Sequence, residues 1–140
     1  MSLPEVRITP LPDTGDQRGS SFQTGPSWLA FLGSIDDAHI ATIVPGAIRG
    51  NHFHLRRREA IAVLYADNWQ AAWNQGADTE VTVSEFTGAG AVMLEVDPGA
   101  SHAIANTGRA PLWIIGLSNG AWDPAAPDSF LCKLLPRPAA

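Results

Sequence analysis

The sequence predicts an all-β protein folded as a sandwich or barrel. Its 140 residues contain 13 Gly and 11 Pro, which are spread along the chain and separate short, β-rich apolar runs. No stretch shows sustained helical periodicity, and turn residues recur between the runs. A chain of this length fits one domain. We expect residues 1–140 to form it, with an N-terminal strand and turn-rich segment at 1–25 and a frayed tail at 136–140.

The expected strands are the apolar runs that lie between turn signals. A buried strand is expected at residues 28–32, where the chain reads Trp-Leu-Ala-Phe-Leu, and another at 59–65, directly after a glutamate. Pro45-Gly46 and Pro98-Gly99 mark turns that precede the two polar clusters of the chain. The complete set of expected strands is 6–11, 28–32, 39–44, 52–54, 59–65, 69–73, 79–86, 92–96, 101–105 and 112–117.

Composition and charge narrow the possible partners. Charged residues make up 16% of the chain, below the roughly 25% of an average protein, which favours an oligomer, an apolar cavity or both. The net charge is −5 and the only basic run is 56–58, so we expect no nucleic-acid partner. The single Cys132 excludes an internal disulfide and suits a reducing compartment. No signal region or membrane-spanning run is visible, so we expect a cytoplasmic protein without a membrane partner.

Two polar clusters carry the residues that are suited to chemistry. His52 and His54 are one residue apart, so they point to the same side of a strand. Glu59 comes five residues after His54, and in one continuous strand this odd spacing would put it on the opposite side. The chain must therefore turn between His54 and Glu59. Glu59 then opens an apolar run of buried-strand type. About forty residues later, His102 lies in a second cluster at 98–106. We expect the fold to bring the two clusters together.

These clusters resemble the two sequence motifs of the cupin family. The first motif is matched by Gly46, His52, His54 and Glu59, although its closing glycine falls at Ala66. The second motif is matched by Pro98, Gly99, His102 and Asn106. The resemblance implies a small antiparallel β-barrel of the jelly-roll type, also called a double-stranded β-helix, and often a homodimer. It also implies a metal inside the barrel, held by His52, His54, Glu59 and His102.

His39 complicates this ligand set. It begins the strand that leads into the first cluster, and it shares one face of that strand with Ala41 and Ile43. If that face lines the interior, His39 reaches the metal as a fourth imidazole, and Glu59 becomes a catalytic base or a support for the ligands. Alternatively, His39 is a polar residue at a strand start. We predict metal ligation by His39, His52, His54 and His102, with Glu59 as base or ligand.

The donor types favour a divalent metal, with zinc first and iron, nickel or manganese as alternatives. A cupin that has lost its metal is the opposing interpretation. The chain also has five Trp, of which one or two are expected to line the cavity: Trp28, Trp69, Trp73, Trp113 and Trp122. A histidine-rich site in an apolar, aromatic cavity suits a flat hydrophobic ligand.

The single-domain layout, the stretch at 49–54, the four histidines and the Trp content resemble those of small monocupin cyclases of aromatic polyketide biosynthesis. This resemblance implies a metal-dependent cyclase that closes rings of a poly-β-keto chain by aldol condensation and dehydration. The metal would act as a Lewis acid, and a metal-bound hydroxide or Glu59 would take the proton. We therefore expect a small apolar aromatic or polyketide substrate.

Three alternatives remain open. A redox metal at the same site would make an oxygenase of an aromatic substrate. A nucleotide-sugar isomerase or epimerase is suggested by residues 49–54, which also resemble cupins of polysaccharide biosynthesis; the histidines would then act as bases without metal. Phosphates would need converging cations, and Arg49 is the basic residue next to the first cluster. The third alternative is a non-enzymatic module that binds an apolar ligand.

Overall fold

Two five-stranded antiparallel sheets form the fold in the computed structural model, which describes residues 2–136. The strands are β1 (Val6–Pro10), β2 (Asp37–Ile43), β3 (Ile48–Phe53), β4 (Glu59–Tyr65), β5 (Trp69–Trp73), β6 (Thr82–Phe86), β7 (Gly90–Val96), β8 (His102–Asn106), β9 (Leu112–Ser118) and β10 (Phe130–Leu131), and the helix is α1 (Ser27–Leu32). One sheet has the order β1-β7-β4-β9-β2, and the other has the order β10-β3-β8-β5-β6. The predicted all-β, jelly-roll fold class is confirmed.

The main core lies between the two sheets. Val63 and Leu94 enter it from the first sheet, and Trp69 and Ile104 enter it from the second, each with at most 3% of its surface exposed. Trp69 stacks on Phe86, with 4.2 Å between the ring centroids. Burial of these apolar side chains holds the sheets together, since each contributes roughly 1.5–3 kcal/mol when it is removed from water.

Residues 28–32 form a helix, so the strand predicted there is wrong. Helix α1 lies between Pro26 and Gly33, whose φ is 78°. Trp28, Phe31 and Leu32 have helical spacing, and they pack against Ala60 and Met93 on the outer face of the first sheet. A run of five apolar residues does not by itself distinguish a buried strand from a short helix that covers a sheet.

Most of the remaining strands were predicted within a few residues of their true ends. The bounds of β4 and β5 were predicted correctly, whereas β3 begins four residues earlier than expected, at Ile48. Strand β10, which pairs with β3, was not predicted. Of the predicted frayed tail, only Pro136 is among the described residues. Helix α1 has six residues, and no helix between residues 2 and 136 has the length and hydropathy that crossing a membrane requires.

A β-bulge in β3 sets the register that matters for function. Gly50 pairs with Ala103 of β8, but the next pair is His52 with His102, so Asn51 is the extra residue. Asn51 has a φ of 58°, and its Oδ1 accepts hydrogen bonds from the backbone N–H groups of Leu134 and Leu135 at 2.9 and 3.2 Å. The bulge places His52 directly opposite His102 across the two strands.

Replacing Gly50 by Ala should destabilise the protein more than the same change at Gly88. Gly50 has a φ of 93°, and a Cβ there would lie 2.6 Å from the carbonyl oxygen of His102. Gly88 has a φ of 77° with nothing within 4 Å of a Cβ. We expect a loss of about 2–4 kcal/mol of unfolding free energy for G50A, from strain and overpacking, and about 1 kcal/mol for G88A. Urea unfolding measures both, and equal losses would contradict the close approach of β3 to β8.

Candidate functional site

Four of the predicted site residues meet at one end of the space between the sheets. The candidate ligand atoms of His52, His54, Glu59 and His102 all lie within 4.8 Å of one another. Strand β3 and the residue after it supply His52 and His54, β4 begins with Glu59, and β8 begins with His102. His52 is half-buried, and the other three side chains are buried. We call these four residues the His/Glu cluster.

Two acceptor atoms face each other inside the cluster. Nδ1 of His54 lies 2.5 Å from the carbonyl oxygen of Asp128. A carbonyl has no proton, so Nδ1 must donate, and Nε2 of a neutral His54 ring then carries a lone pair. That Nε2 contacts Oε1 of Glu59, and neither buried atom has a hydrogen-bond partner among the described residues. Two facing acceptors of this kind need a shared cation, either a proton or a metal.

The charge states of the cluster also suit metal ligation. Burial, together with the neighbouring His102 and His54, lowers the pKa of His52 to about 4. Burial likewise lowers the pKa of His102. For Glu59, burial raises the pKa, but the contact with His54 and the charges of His102, His54 and Arg57 outweigh it and hold the pKa at about 2. At neutral pH, His52 and His102 therefore offer lone pairs beside an ionised carboxylate, a donor set that fits Zn, Fe, Ni or Mn.

The cluster lies in a cavity of about 290 Å³. Its apolar wall consists of Ile48, Ile61, Ile104 and Ile114. Two arginines, Arg49 and Arg57, also line it. None of the tryptophans lines this cavity, so the predicted aromatic lining is wrong: Trp69 is packed in the core, and Trp113 is half exposed beside a different cavity.

His39 is not part of the His/Glu cluster. Its side chain is exposed on the edge strand β2, and it lines the same cavity, but the group of atoms within 4.8 Å of one another contains Glu59 in its place. Glu59, which the sequence analysis predicted as base or ligand, therefore lies among the clustered atoms, and His39 does not. Whether these residues hold a metal stays a prediction.

Arg57 was not singled out by the sequence analysis, which noted residues 56–58 only as a basic run. Arg56 and Arg58 are exposed, whereas Arg57 turns toward the cavity, and its Nε is buried without a hydrogen-bond partner among the described residues. Side-chain orientation within a turn has no periodicity, so three consecutive arginines do not reveal which one points inward.

Asp128 is a second residue that the sequence did not reveal. Its carboxylate accepts hydrogen bonds from the backbone N–H groups of Leu55, Arg56 and Arg57 at 2.8, 3.0 and 3.1 Å. Its carbonyl oxygen accepts the bond from His54 described above. One residue therefore holds both the turn between β3 and β4 and the ring of His54. No local pattern announces this contact, since 74 residues separate Asp128 from His54.

Comparison with known proteins identifies the family. The model of the family described as "Polysaccharide biosynthesis C-terminal domain" matches residues 15–130, which is most of the chain. The chain belongs to this family. A search of the curated proteins finds no match.

Three solved structures show the same fold at low sequence identity. CapF from Staphylococcus aureus, a capsular polysaccharide assembling protein, is 22% identical with a TM-score of 0.63 over 89% of this chain and 34% of its own. The sugar 3,4-ketoisomerase QdtA from Thermoanaerobacterium thermosaccharolyticum is 17% identical with a TM-score of 0.66, over 89% and 86%. The 3′-monoepimerase ChmJ from Streptomyces bikiniensis is 13% identical with a TM-score of 0.72, over 92% and 69%. The chain thus spans about a third of the length of CapF.

These findings overturn the predicted function. The chain belongs to a polysaccharide-biosynthesis family, and the structures that it resembles include a 3,4-ketoisomerase in complex with TDP-4-keto-6-deoxyglucose and a 3′-monoepimerase in complex with dTDP. The polyketide cyclase prediction is therefore wrong, and so is the predicted apolar polyketide substrate. The cyclase prediction rested on a resemblance in layout, motif, histidines and Trp content and on an expected aromatic cavity. No Trp, Phe or Tyr is among the described residues that line the cavity.

Replacing Asp128 by Asn should lower the free energy of unfolding, because Asp128 braces the segment next to the His/Glu cluster. An amide has one acceptor oxygen, so an Nδ2–H₂ donor would face one or more of the three backbone N–H groups. We expect D128N to lose about 2–3 kcal/mol of unfolding free energy. The control is D123N, because the exposed carboxylate of Asp123 accepts one hydrogen bond, from Ala125; it should change stability by less than about 0.5 kcal/mol. Urea unfolding compares them, and equal stability of the two variants would contradict the bracing role.

Proposed function

We propose that the protein is a nucleotide-sugar isomerase or epimerase that acts on a keto sugar in polysaccharide biosynthesis. The observation that carries this proposal is one cavity in which a cluster of imidazoles and a carboxylate lies beside two arginines, in a chain of the polysaccharide biosynthesis C-terminal domain family. Both reactions begin in the same way, by removing a proton from the carbon next to a keto group. Such a site needs an electrophile for the keto oxygen, a base for the carbon and cations for the phosphates.

The two arginines answer the requirement for phosphate binding. Nε of Arg49 donates to the carbonyl oxygen of Thr42 at 2.9 Å, which orients the guanidinium and uses one of its five donors. Arg57 is held from its backbone by Asp128, and the buried Nε of its side chain has no partner among the described residues. Planar guanidinium groups bind phosphate oxygens in pairs. A diphosphate at the cavity mouth would supply the missing partners.

The dimensions of the cavity favour a sugar. A volume of about 290 Å³ is at the lower end of small-molecule sites, which span about 300–1,000 Å³. A hexose ring would enter, while the nucleotide would stay nearer to the surface, where both arginines are partly exposed. The isoleucine wall would pack against the less polar face of the sugar ring and help to exclude water.

A divalent metal fits the His/Glu cluster, and we propose that His52, His54, Glu59 and His102 hold one. When bound, such a metal polarises a keto oxygen and so acidifies the neighbouring C–H. Asp128 fixes the tautomer of His54 that offers Nε2. The structure of CapF with the inhibitor 3-isopropenyl-tropolone is in keeping with this proposal. A tropolone carries adjacent keto and hydroxyl oxygens, as an α-hydroxyketone sugar does, and it chelates divalent metals.

The direct test is conversion of a nucleotide-linked keto sugar. Protein loaded with zinc or manganese is incubated with TDP-4-keto-6-deoxyglucose in D₂O, and proton NMR follows the ring hydrogens. We expect loss of the signal next to the keto group and the appearance of an isomer or epimer. If neither deuterium exchange nor a new sugar appears with either metal or with the metal-free protein, the proposed function is wrong.

Replacing Glu59 by Gln should weaken metal binding. This prediction can be tested without measuring enzymatic activity. The change keeps the size of the side chain but takes away the ionised oxygen that faces Nε2 of His54. We expect the affinity for Zn²⁺, measured by competition with a chromogenic chelator, to fall by at least about tenfold. The control is E85Q. Glu85 is exposed, accepts a hydrogen bond from Nε2 of Gln70 and does not line the cavity. Unchanged affinity in E59Q would contradict the proposed ligand set.

A further inference from the structure

We infer that His39 is the catalytic base that moves the proton in this reaction, an inference that rests on the proposed function. His39 lies on the edge strand β2 and lines the cavity that holds the His/Glu cluster, without belonging to the cluster. The sequence analysis predicted His39 as a metal ligand and Glu59 as base or ligand. Our inference makes His39 the base and leaves Glu59 as a ligand.

Gly116 shows how the ring of His39 reaches the cavity. The two residues are paired across β2 and β9, and Gly116 is in turn paired with Ile61 of β4, which lines the cavity. A Cβ on Gly116 would lie 2.5 Å from Cε1 of His39, 2.9 Å from its Nδ1 and 3.1 Å from its Nε2. The imidazole therefore extends from the edge of the sheet over the backbone of Gly116.

Space, and not backbone conformation, is what requires a glycine at position 116. The φ angle of Gly116 is not positive, so any amino acid could adopt its backbone conformation. Within the described residues, the atoms nearest to a Cβ at this position all belong to His39. A methyl group there would push the ring away from β9. The fold thus keeps a place beside the cavity for this one side chain.

Elimination points to the same residue. If the four cluster residues hold a metal, their lone pairs are engaged. The guanidinium groups of Arg49 and Arg57 have N–H donors and no acceptor atom. Among the described side chains that line the cavity, His39 is then the one with a ring nitrogen left to accept and return a proton. Its exposure lets it exchange that proton with water.

The proton transfer balances for an α-hydroxyketone sugar. Neutral His39 takes the hydrogen from the hydroxyl-bearing carbon next to the keto group, and the C–H electron pair forms the double bond of an enediol. The keto oxygen is protonated as the enediol forms, and the neighbouring hydroxyl oxygen loses its proton as the new keto group forms. The net transfer is one proton from the hydroxyl oxygen to the keto oxygen. The imidazolium of His39 then returns a proton to the former keto carbon, and the base is restored. One base on one face of the sugar suffices for this ketoisomerisation.

Two variants and one control test the inference with TDP-4-keto-6-deoxyglucose as the probe. H39Q removes the base, and G116A keeps the base but displaces its ring. I40Q is the control, because Ile40 points out of the opposite face of β2 and is 75% exposed. We expect H39Q to lower kcat by about 100- to 10,000-fold, with KM changed less than about threefold and the metal content per chain unchanged. G116A should lower kcat in the same direction, and I40Q should match the wild type.

A further variant, H39A, should regain part of its activity when imidazole is added to the buffer, since the site is open to solvent. In D₂O, the wild type should place solvent deuterium on the product carbon. Turnover by H39Q within about threefold of the wild type overturns the inference while leaving the proposed function intact. Loss of metal from H39Q also overturns it, because His39 would then be a ligand. Absence of turnover and of exchange in the wild type refutes the proposed function itself.

Discussion

The site depends on one irregularity in the pairing of β3 with β8. A regular antiparallel ladder would continue from the pair Gly50–Ala103 to Asn51–His102, and it would leave His52 opposite Ser101. The bulge at Asn51 removes one residue from the count, so that His52 faces His102. It also places Arg49 and His52, which are three residues apart, in the same cavity. Alternation with period two would have put them on opposite faces of the sheet.

The bulge is maintained by the chain that follows β9. Asn51 accepts two backbone hydrogen bonds from Leu134 and Leu135, and its carbonyl oxygen accepts a third from Cys132 at 2.7 Å. Upstream in the same segment, Asp128 holds His54 and the turn at residues 55–57. The described part of the C-terminal segment therefore fixes both ends of the stretch that carries the two histidines. A left-handed residue such as Asn51 persists only where its surroundings determine it in this way.

The sequence revealed the parts of the site that depend on local rules. Period two places His52 and His54 on one side, and parity demands a turn before Glu59, which the structure has. The sequence could not reveal the features of the site that depend on long-range packing. His39 lines the same cavity as the cluster, but its ring lies over Gly116 on the edge strand and is not among the four clustered side chains. Trp69 is buried because it stacks on Phe86 in the core, and nothing in its local sequence separates a core tryptophan from one that lines a cavity.

The error in function has the same physical origin. Low charge and five tryptophans indicate apolar burial, but they do not say where that burial occurs. In the folded chain the tryptophans lie in the core, in helix α1 and on the outer surface. The cavity is lined by four isoleucines, four histidines, two arginines, Glu59 and Gly50. The cavity lining contains two arginines and one carboxylate, so its formal charge is opposite in sign to the net charge of −5 of the whole chain. That charge is compatible with the anionic nucleotide sugar that we propose as the substrate.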